Sequence, residues 1–148
     1  MPTDDHIAIT SAAIDTAEAL KDFSTSATGG VAIFLGCTRA ERSSDGRDLV
    51  ALDYQAYEEM AVRQLHALVA AARSRWPIIR CTLLHRIGRV ALGEPSVLIA
   101  VGTPHRAESF DACRFLIDEL KKSAAIWKQE IWTDGQTSWV PGTPVSPR

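Results

Sequence analysis

Two periods of apolar and polar residues run along this chain, one close to 2 and one close to 3.6, and they divide it into strands and helices. HIAIT predicts a short strand, and Ile14 to Phe23 a short helix with Ala, Glu and Leu in its interior. GGVAIFLGCTR reads as a strand that begins through two glycines, and the polar ERSSDGRD after it as a loop. LVALDYQAY sets apolar positions against Asp53 and Gln55, the alternation of a half-buried strand. Glu58 to Trp76 carries Met60, Leu65, Leu68, Val69 and Ala72 near i, i+4 spacing, which predicts a long helix stopped by Pro77.

CTLLHRIGRV and SVLIAVGT predict two further strands separated by the turn residues Gly93, Glu94 and Pro95. A second long helix is expected from Pro104 to Lys122, with Thr103 as its N-cap and Pro104 in its first position. IWKQEIW and TSWV then flank Thr133 to Gln136, where Asp134-Gly135 signals a hairpin. This order implies an α+β fold with a mostly antiparallel sheet and two long helices. It leaves one domain over residues 1–140 and a Pro-rich C-terminal tail, PGTPVSPR, over 141–148.

Composition narrows the functional classes. The 148 residues are 46% hydrophobic and 23% charged, ordinary for a globular chain of one domain. A net charge of -2 argues against broad nucleic-acid binding and leaves room for a local basic pocket with a small anionic ligand. No apolar run reaches the roughly 18 to 20 residues of a membrane span, and MPTDDHIAIT lacks the basic-then-apolar pattern of a signal peptide, so no membrane partner and a cytoplasmic location are expected. Cys37, Cys81 and Cys113 are far apart, without a CxxC pair or a His at zinc-like spacing. Reduced thiols are expected, with no metal and no cofactor.

The candidate chemistry gathers around KKSAAIWKQE, Lys121 to Glu130. Drawn as a wheel, the second long helix puts Phe110, Cys113, Ile117 and Leu120 on one apolar stripe, and Lys121 falls on that stripe. Lys122 lies to the side, four residues after Asp118, where an exposed ion pair forms easily. A lysine on an apolar face either snorkels from the helix end or lines a site. Lys128, seven residues on, alternates with Trp127 in a strand that must return beside the helix end. Two ammonium groups sharing a partly buried pocket lower each other's pKa and make one a base or nucleophile near neutral pH.

At the other end of the same helix stand His105 and Arg106, where free backbone N–H groups already favour an anion. Arg106 and Lys121 are fifteen residues apart, about 22 Å along a helix axis, too far to grip one small ligand from the same chain. Either there are two sites, or one site is assembled from two subunits. Arg39 ends a strand and opens a polar loop, a common place for a ligand-binding residue. Cys37, two residues earlier, has no nearby His or Asn to support it as a nucleophile.

The segments GGVAIFLGCTR, GRDLVALDYQAYEEMA, HRIGRVALGE, VGTPHRAESFDACRFLIDELKKSAAIWKQE and DGQTSWV together resemble the large subunit of molybdopterin synthase, over roughly Gly29 to Val140. The most specific parts are the HRxG…GE turn, the PHRAxxFxAC helix start and the LKxxxxIWKxE lysine pair. The resemblance implies an α/β-hammerhead-like fold and a homodimer of large subunits, with a small ubiquitin-like sulfur-carrier subunit at each end of a heterotetramer. It also implies transfer of sulfur from that subunit's C-terminal Gly-Gly thiocarboxylate to cyclic pyranopterin monophosphate, building the dithiolene of molybdopterin without a metal. On this likeness Lys121 and Lys128 match the active-site lysines, Lys121 as proton-transfer group or transient covalent partner. Cys37, Thr38 and Arg39, His105 and Arg106 from the neighbouring subunit, and Gln129 and Glu130 join both lysines as substrate-binding candidates.

The chain departs from the family pattern at Ala40, Glu41 and Arg42, where Asn and His are frequent. A second departure is Ala125, commonly Pro, which predicts a looser connection leading to Lys128. The alternative from another class is a non-catalytic dimeric anion- or nucleotide-binding module built from the same Arg, His and Lys groups.

Overall fold

The alternating segments fold as strands and the 3.6-period segments as helices, in the order β1 (His6–Thr10), α1 (Thr16–Leu20), β2 (Gly30–Cys37), β3 (Leu49–Ala56), α2 (Glu58–Arg75), β4 (Arg80–Arg86), β5 (Gly88–Ala91), β6 (Pro95–Thr103), α3 (Arg106–Ser123), β7 (Ile126–Trp132) and β8 (Thr137–Trp139). The structure is a computed structural model and describes residues 4–140; the tail read over 141–148 lies outside the described residues. The strands make two four-stranded sheets, β1-β4-β6-β2 and β5-β3-β7-β8. All pairings are antiparallel except β1 with β4, so the expected α+β architecture with a mostly antiparallel sheet is present.

The central strands of the first sheet, β4 and β6, are buried on both faces, which explains why β6 reads as a continuous apolar run rather than an alternating one. Leu83, Val97, Ile99 and Val101 project toward the two long helices and meet Leu65, Val69, Leu116 and Leu120 there. The alternate residues Leu84, Leu98 and Ala100 project the other way, against Ile14 and Phe23 beside α1. The second sheet has a smaller core of Leu49, Leu52 and Trp132, and Tyr54 packs against both this cluster and the helical one.

Five local readings change in the structure. The short helix covers only Thr16–Leu20, capped by the Asp15 carboxylate, which accepts from the Glu18 N–H. CTLLHRIGRV is two strands rather than one: Gly88, at φ 89°, turns the chain out of the first sheet, so that β5 joins the second. The second long helix begins at Arg106 with His105 as N-cap, and the Thr103 hydroxyl donates to the His105 carbonyl two residues on, at 2.6 Å, instead of capping an N–H. The buried stripe of α3 runs through Ser109, Ala112, Cys113, Leu116, Ile117 and Leu120, while Phe110 is 65% exposed. On α2, Met60 is likewise exposed, and Ala61 takes the buried place.

Two details matter for the site. A β-carbon on Gly29 would overlap the Pro104 carbonyl, so the paired glycines let the start of β2 lie directly against the start of α3. The strand therefore runs from the His105–Arg106 end of α3 to its opposite end. Among the described residues, no helix is long and apolar enough to cross a membrane.

Candidate active site

A cleft of about 300 Å³ opens where the two sheets meet the C-terminal end of α3. Its walls come from the end of β2 and the segment after it (Cys37, Arg39, Glu41), from β3 (Leu52, Tyr54), from β6 (Ser96, Val97), from α3 (Lys121) and from β7 (Lys128, Glu130). The strand period selects the β7 residues. Lys128 and Glu130 share a face and stand opposite Tyr54 and Leu52 of β3, whereas Gln129 faces the other way and its amide donates to Thr137 Oγ1 at 3.1 Å. Glu130 is held by the Ser138 hydroxyl at 3.2 Å, which itself accepts from the Trp132 indole at 3.0 Å.

Of the residues singled out from sequence, Cys37, Arg39, Lys121, Lys128 and Glu130 are brought together in this cleft. Thr38 is buried between two of them, and its backbone is gripped by the turn before β6: its N–H donates to the Glu94 carbonyl at 3.1 Å and its carbonyl accepts from Gly93 at 2.7 Å. The Glu94 carboxylate accepts from the Ala91 N–H at 2.9 Å and lies 3.6 Å from the Arg86 guanidinium. The HRxG…GE motif thus braces the strand end that presents Arg39. His105 and Arg106 are exposed at the far end of the unbroken α3 and are not part of the cleft in this chain.

Arg39, Lys121 and Lys128 face two carboxylates, Glu41 and Glu130, so the cleft carries an excess of positive charge on a chain of net charge -2. The lysines differ. Lys121 is exposed at the helix end, whereas Lys128 is half-buried, and burial first and the neighbouring Lys121 second push its pKa below the usual lysine value, with Glu130 and Glu41 pulling back. Lys122 is the solvated lysine, as expected, although it pairs with Glu119 at 3.6 Å while Asp118 pairs with Arg114.

Three cleft groups were not singled out from sequence: Glu41, Tyr54 and, behind Tyr54, His85. The Tyr54 phenol is pushed above its usual pKa by burial, and its ring packs edge-on against His85 with centroids 5.0 Å apart. His85 Nδ1 donates to the Arg86 carbonyl at 2.8 Å, so the proton sits on Nδ1 of a neutral ring. Burial, with Lys121 and Lys128 adding, lowers its pKa from 6.5 to about 4. His85 lies in the HRxG motif and Glu41 at a departure from the family pattern, but neither position shows a place in the cleft, because the three residues come from β3, β4 and the segment after β2.

The His85 environment predicts an acid-sensitive fold. An unfolded imidazole takes up a proton near 6.5 and the folded one only near 4, so the unfolded state binds more protons in that interval. Stability from this group is full above about pH 6.5 and is lost as pH falls through 4, up to about 3 kcal/mol. Urea midpoints measured from pH 7 to pH 4 should fall, and in His85→Gln this part of the slope should vanish.

Among the described residues, no group of three His, Cys, Asp or Glu side chains is arranged to hold a metal ion. What the cleft can do chemically is bind a small anion and present two ammonium groups, of which burial makes Lys128 give up its proton more readily than an ordinary lysine.

Residues 9–123 match the family model described as MoaE protein. The chain is 46% identical to the molybdopterin synthase catalytic subunit of Nostoc sp. over 138 residues, 93% of this chain and 82% of the relative. Its fold superposes with a TM-score of 0.83 on a molybdopterin synthase crystal structure from Staphylococcus aureus, at 30% identity, covering 90% of this chain and 96% of the other. It also shares its fold, with a TM-score of 0.74 and 20% identity, with a chain of the complex of subunits 1 and 2 of molybdopterin-converting factor from Helicobacter pylori, covering 90% of this chain and 89% of that one. The chain belongs to the MoaE family, the catalytic subunits of molybdopterin synthase.

Proposed function

We propose that the cleft transfers sulfur from the C-terminal Gly-Gly thiocarboxylate of a small ubiquitin-like subunit to cyclic pyranopterin monophosphate, two rounds giving the dithiolene of molybdopterin. The observation that carries this reading is the convergence of Arg39, Lys121 and Lys128 on one cleft. A small partner subunit is supported by the Helicobacter pylori relative of the same fold, which was solved as a two-subunit complex.

The residues have distinct tasks on this reading. Arg39 meets the substrate phosphate with a charged, forked donor set. The thiocarboxylate sulfur bonds to the substrate carbon in place of an oxygen, and water then adds to the acyl carbon so that the acyl C–S bond breaks and the small subunit leaves as a carboxylate. Negative charge develops on the acyl oxygen during that addition, and the Lys121 ammonium stabilises it. Lys128, whose proton burial loosens, takes up a proton from the reacting centre. Glu130, fixed by Ser138, keeps Lys128 oriented. Tyr54 and Leu52 form an apolar wall for the pterin side of the substrate.

His105 and Arg106 reach the cleft only from a second copy of the chain. A twofold axis across the middle of α3 lays the N-terminus of one helix beside the C-terminus of the other. The surface there suits such a contact: β2 is an edge strand, and Ile33, 49% exposed, adjoins Phe110 along a shallow apolar groove. The homodimer carrying one small subunit at each end is the heterotetramer expected from sequence.

The test is a single-turnover reaction of the protein with a thiocarboxylated small subunit and cyclic pyranopterin monophosphate, the product being read as its fluorescent oxidised pterin. Dithiolene product is expected. No product with a competent partner would overturn the reading and favour an anion-binding module.

A further inference from the structure

Lys121 and Lys128 stand on different elements, and their relative placement is set by the connector from Ser123 to Ala125. Ala125 stands where proline is common in the family, so the sequence predicts a looser link. The structure shows the opposite. Gln64, in the middle of α2, spans the connector with both ends of its carboxamide: Nε2 donates to the Ser123 carbonyl at 2.9 Å and Oε1 accepts from the Ala125 N–H at 2.6 Å. The Ala125 carbonyl in turn accepts from the Tyr57 N–H at 3.1 Å, so α2 and its N-cap hold the connector on both sides. Ala124 and Ala125 are buried, and the Ala124 N–H still closes the helix onto the Leu120 carbonyl at 3.1 Å.

We propose that Gln64 is a positioning residue of the reaction centre, its carboxamide clamping the Ser123–Ala125 connector so that Lys121 and Lys128 are held at a fixed spacing and orientation across the cleft. This rests on the reading of the two lysines as the reacting pair. Only a carboxamide supplies one donor and one acceptor at this separation, and a carboxylate of the same shape supplies acceptors alone. Glutamate at position 64 would therefore keep the Ala125 bond and set an oxygen against the Ser123 carbonyl. The partner atom is equally specific: a residue without an N–H at position 125 cannot be clamped. Ala124, at φ -71° and ψ 140°, already has the extended backbone that a residue preceding proline adopts, so Ala125→Pro removes the donor without a conflict at that neighbour.

The experiment compares wild type, Gln64→Ala, Gln64→Glu, Ala125→Pro and the Gln64→Ala/Ala125→Pro double variant. One arm needs no substrate: the side-chain amine of Lys128 is titrated by NMR, and thermal midpoints are recorded. The other arm measures single-turnover rate and substrate affinity separately. Expected for the Gln64 variants are a Lys128 titration shifted back toward ordinary lysine, a rate lowered roughly 10- to 100-fold and an affinity within about twofold of wild type. The double variant should lose less than the product of the two single losses, because both changes break the same bond.

A Lys128 titration and rate like wild type in Gln64→Ala and Gln64→Glu overturn the clamp. So does a double variant whose losses multiply. Should Gln64→Ala not fold, the isosteric Gln64→Glu carries the same comparison. A wild type that gives no product removes the catalytic reading, while the titration arm still decides whether Gln64 holds the lysines together.

Discussion

Replacing Lys121 by alanine is expected to lower the single-turnover rate by about 10²- to 10³-fold, the usual loss when one preorganised charge-stabilising donor is removed. The thiocarboxylated small subunit and the pterin substrate should both still bind. The expectation follows from position. Lys121 is exposed at the end of α3, and its amine makes no ion pair among the described residues, so the fold loses little when it is cut back. The substrate phosphate keeps Arg39, and the cleft keeps the apolar wall of Tyr54 and Leu52. Lys121→Arg separates two roles of the lysine. A guanidinium stabilises negative charge yet cannot act as an amine nucleophile, so partial activity in Lys121→Arg supports charge stabilisation, and complete loss supports a covalent partner. A Lys121→Ala variant with wild-type turnover would remove this residue from the reaction centre.

The pattern along the chain was sufficient for elements whose burial follows their own period. α2 and α3 carry enough turns to show an apolar stripe, and β6 has enough consecutive apolar residues to announce a strand. What escaped the pattern was set by single backbone events or by distant partners. Gly88 splits one apparent strand into two because its positive φ redirects the chain, which composition alone does not reveal. Thr103-Pro104 has the form of a helix start, yet the hydroxyl found a carbonyl instead and the helix began two residues later.

The same division holds in the site. Lys121 was visible on the helical wheel, but of the stripe Phe110, Cys113, Ile117 and Leu120 only the last three are buried, and Ala112 and Leu116 join them in place of Phe110. The more buried lysine is Lys128, and it stands opposite Tyr54 on the neighbouring strand, a partner 74 positions away that no local window contains. His85 reaches the same place from a third strand. Gln64 is the extreme case: it sits on the half-polar side of α2 with nothing to distinguish it from a solvated glutamine, and its role exists only because Ser123 and Ala125 fold back onto it.

Mixing Lys121→Ala with Arg106→Ala is expected to restore about a quarter of wild-type activity after subunit exchange, although each variant alone is nearly inactive. Arg106 and Lys121 occupy opposite ends of α3, about 22 Å apart by helical rise, and only Lys121 lines the cleft of its own chain. If each site takes Lys121 from one subunit and Arg106 from the other, a mixed dimer has one site lacking both groups and one site lacking neither. Random exchange makes half of all dimers mixed, and half of their sites are intact, hence about one quarter. If instead each chain used its own Arg106, every site in every dimer would lack one group, and mixing would restore nothing. A control with Lys121→Ala and Lys128→Ala keeps the logic strict, because both residues belong to one cleft: the site of each chain is then damaged whichever partner it meets, and no recovery is expected. Recovery in the first mixture and not in the second would establish that two copies of α3, running in opposite directions, complete one anion-binding centre.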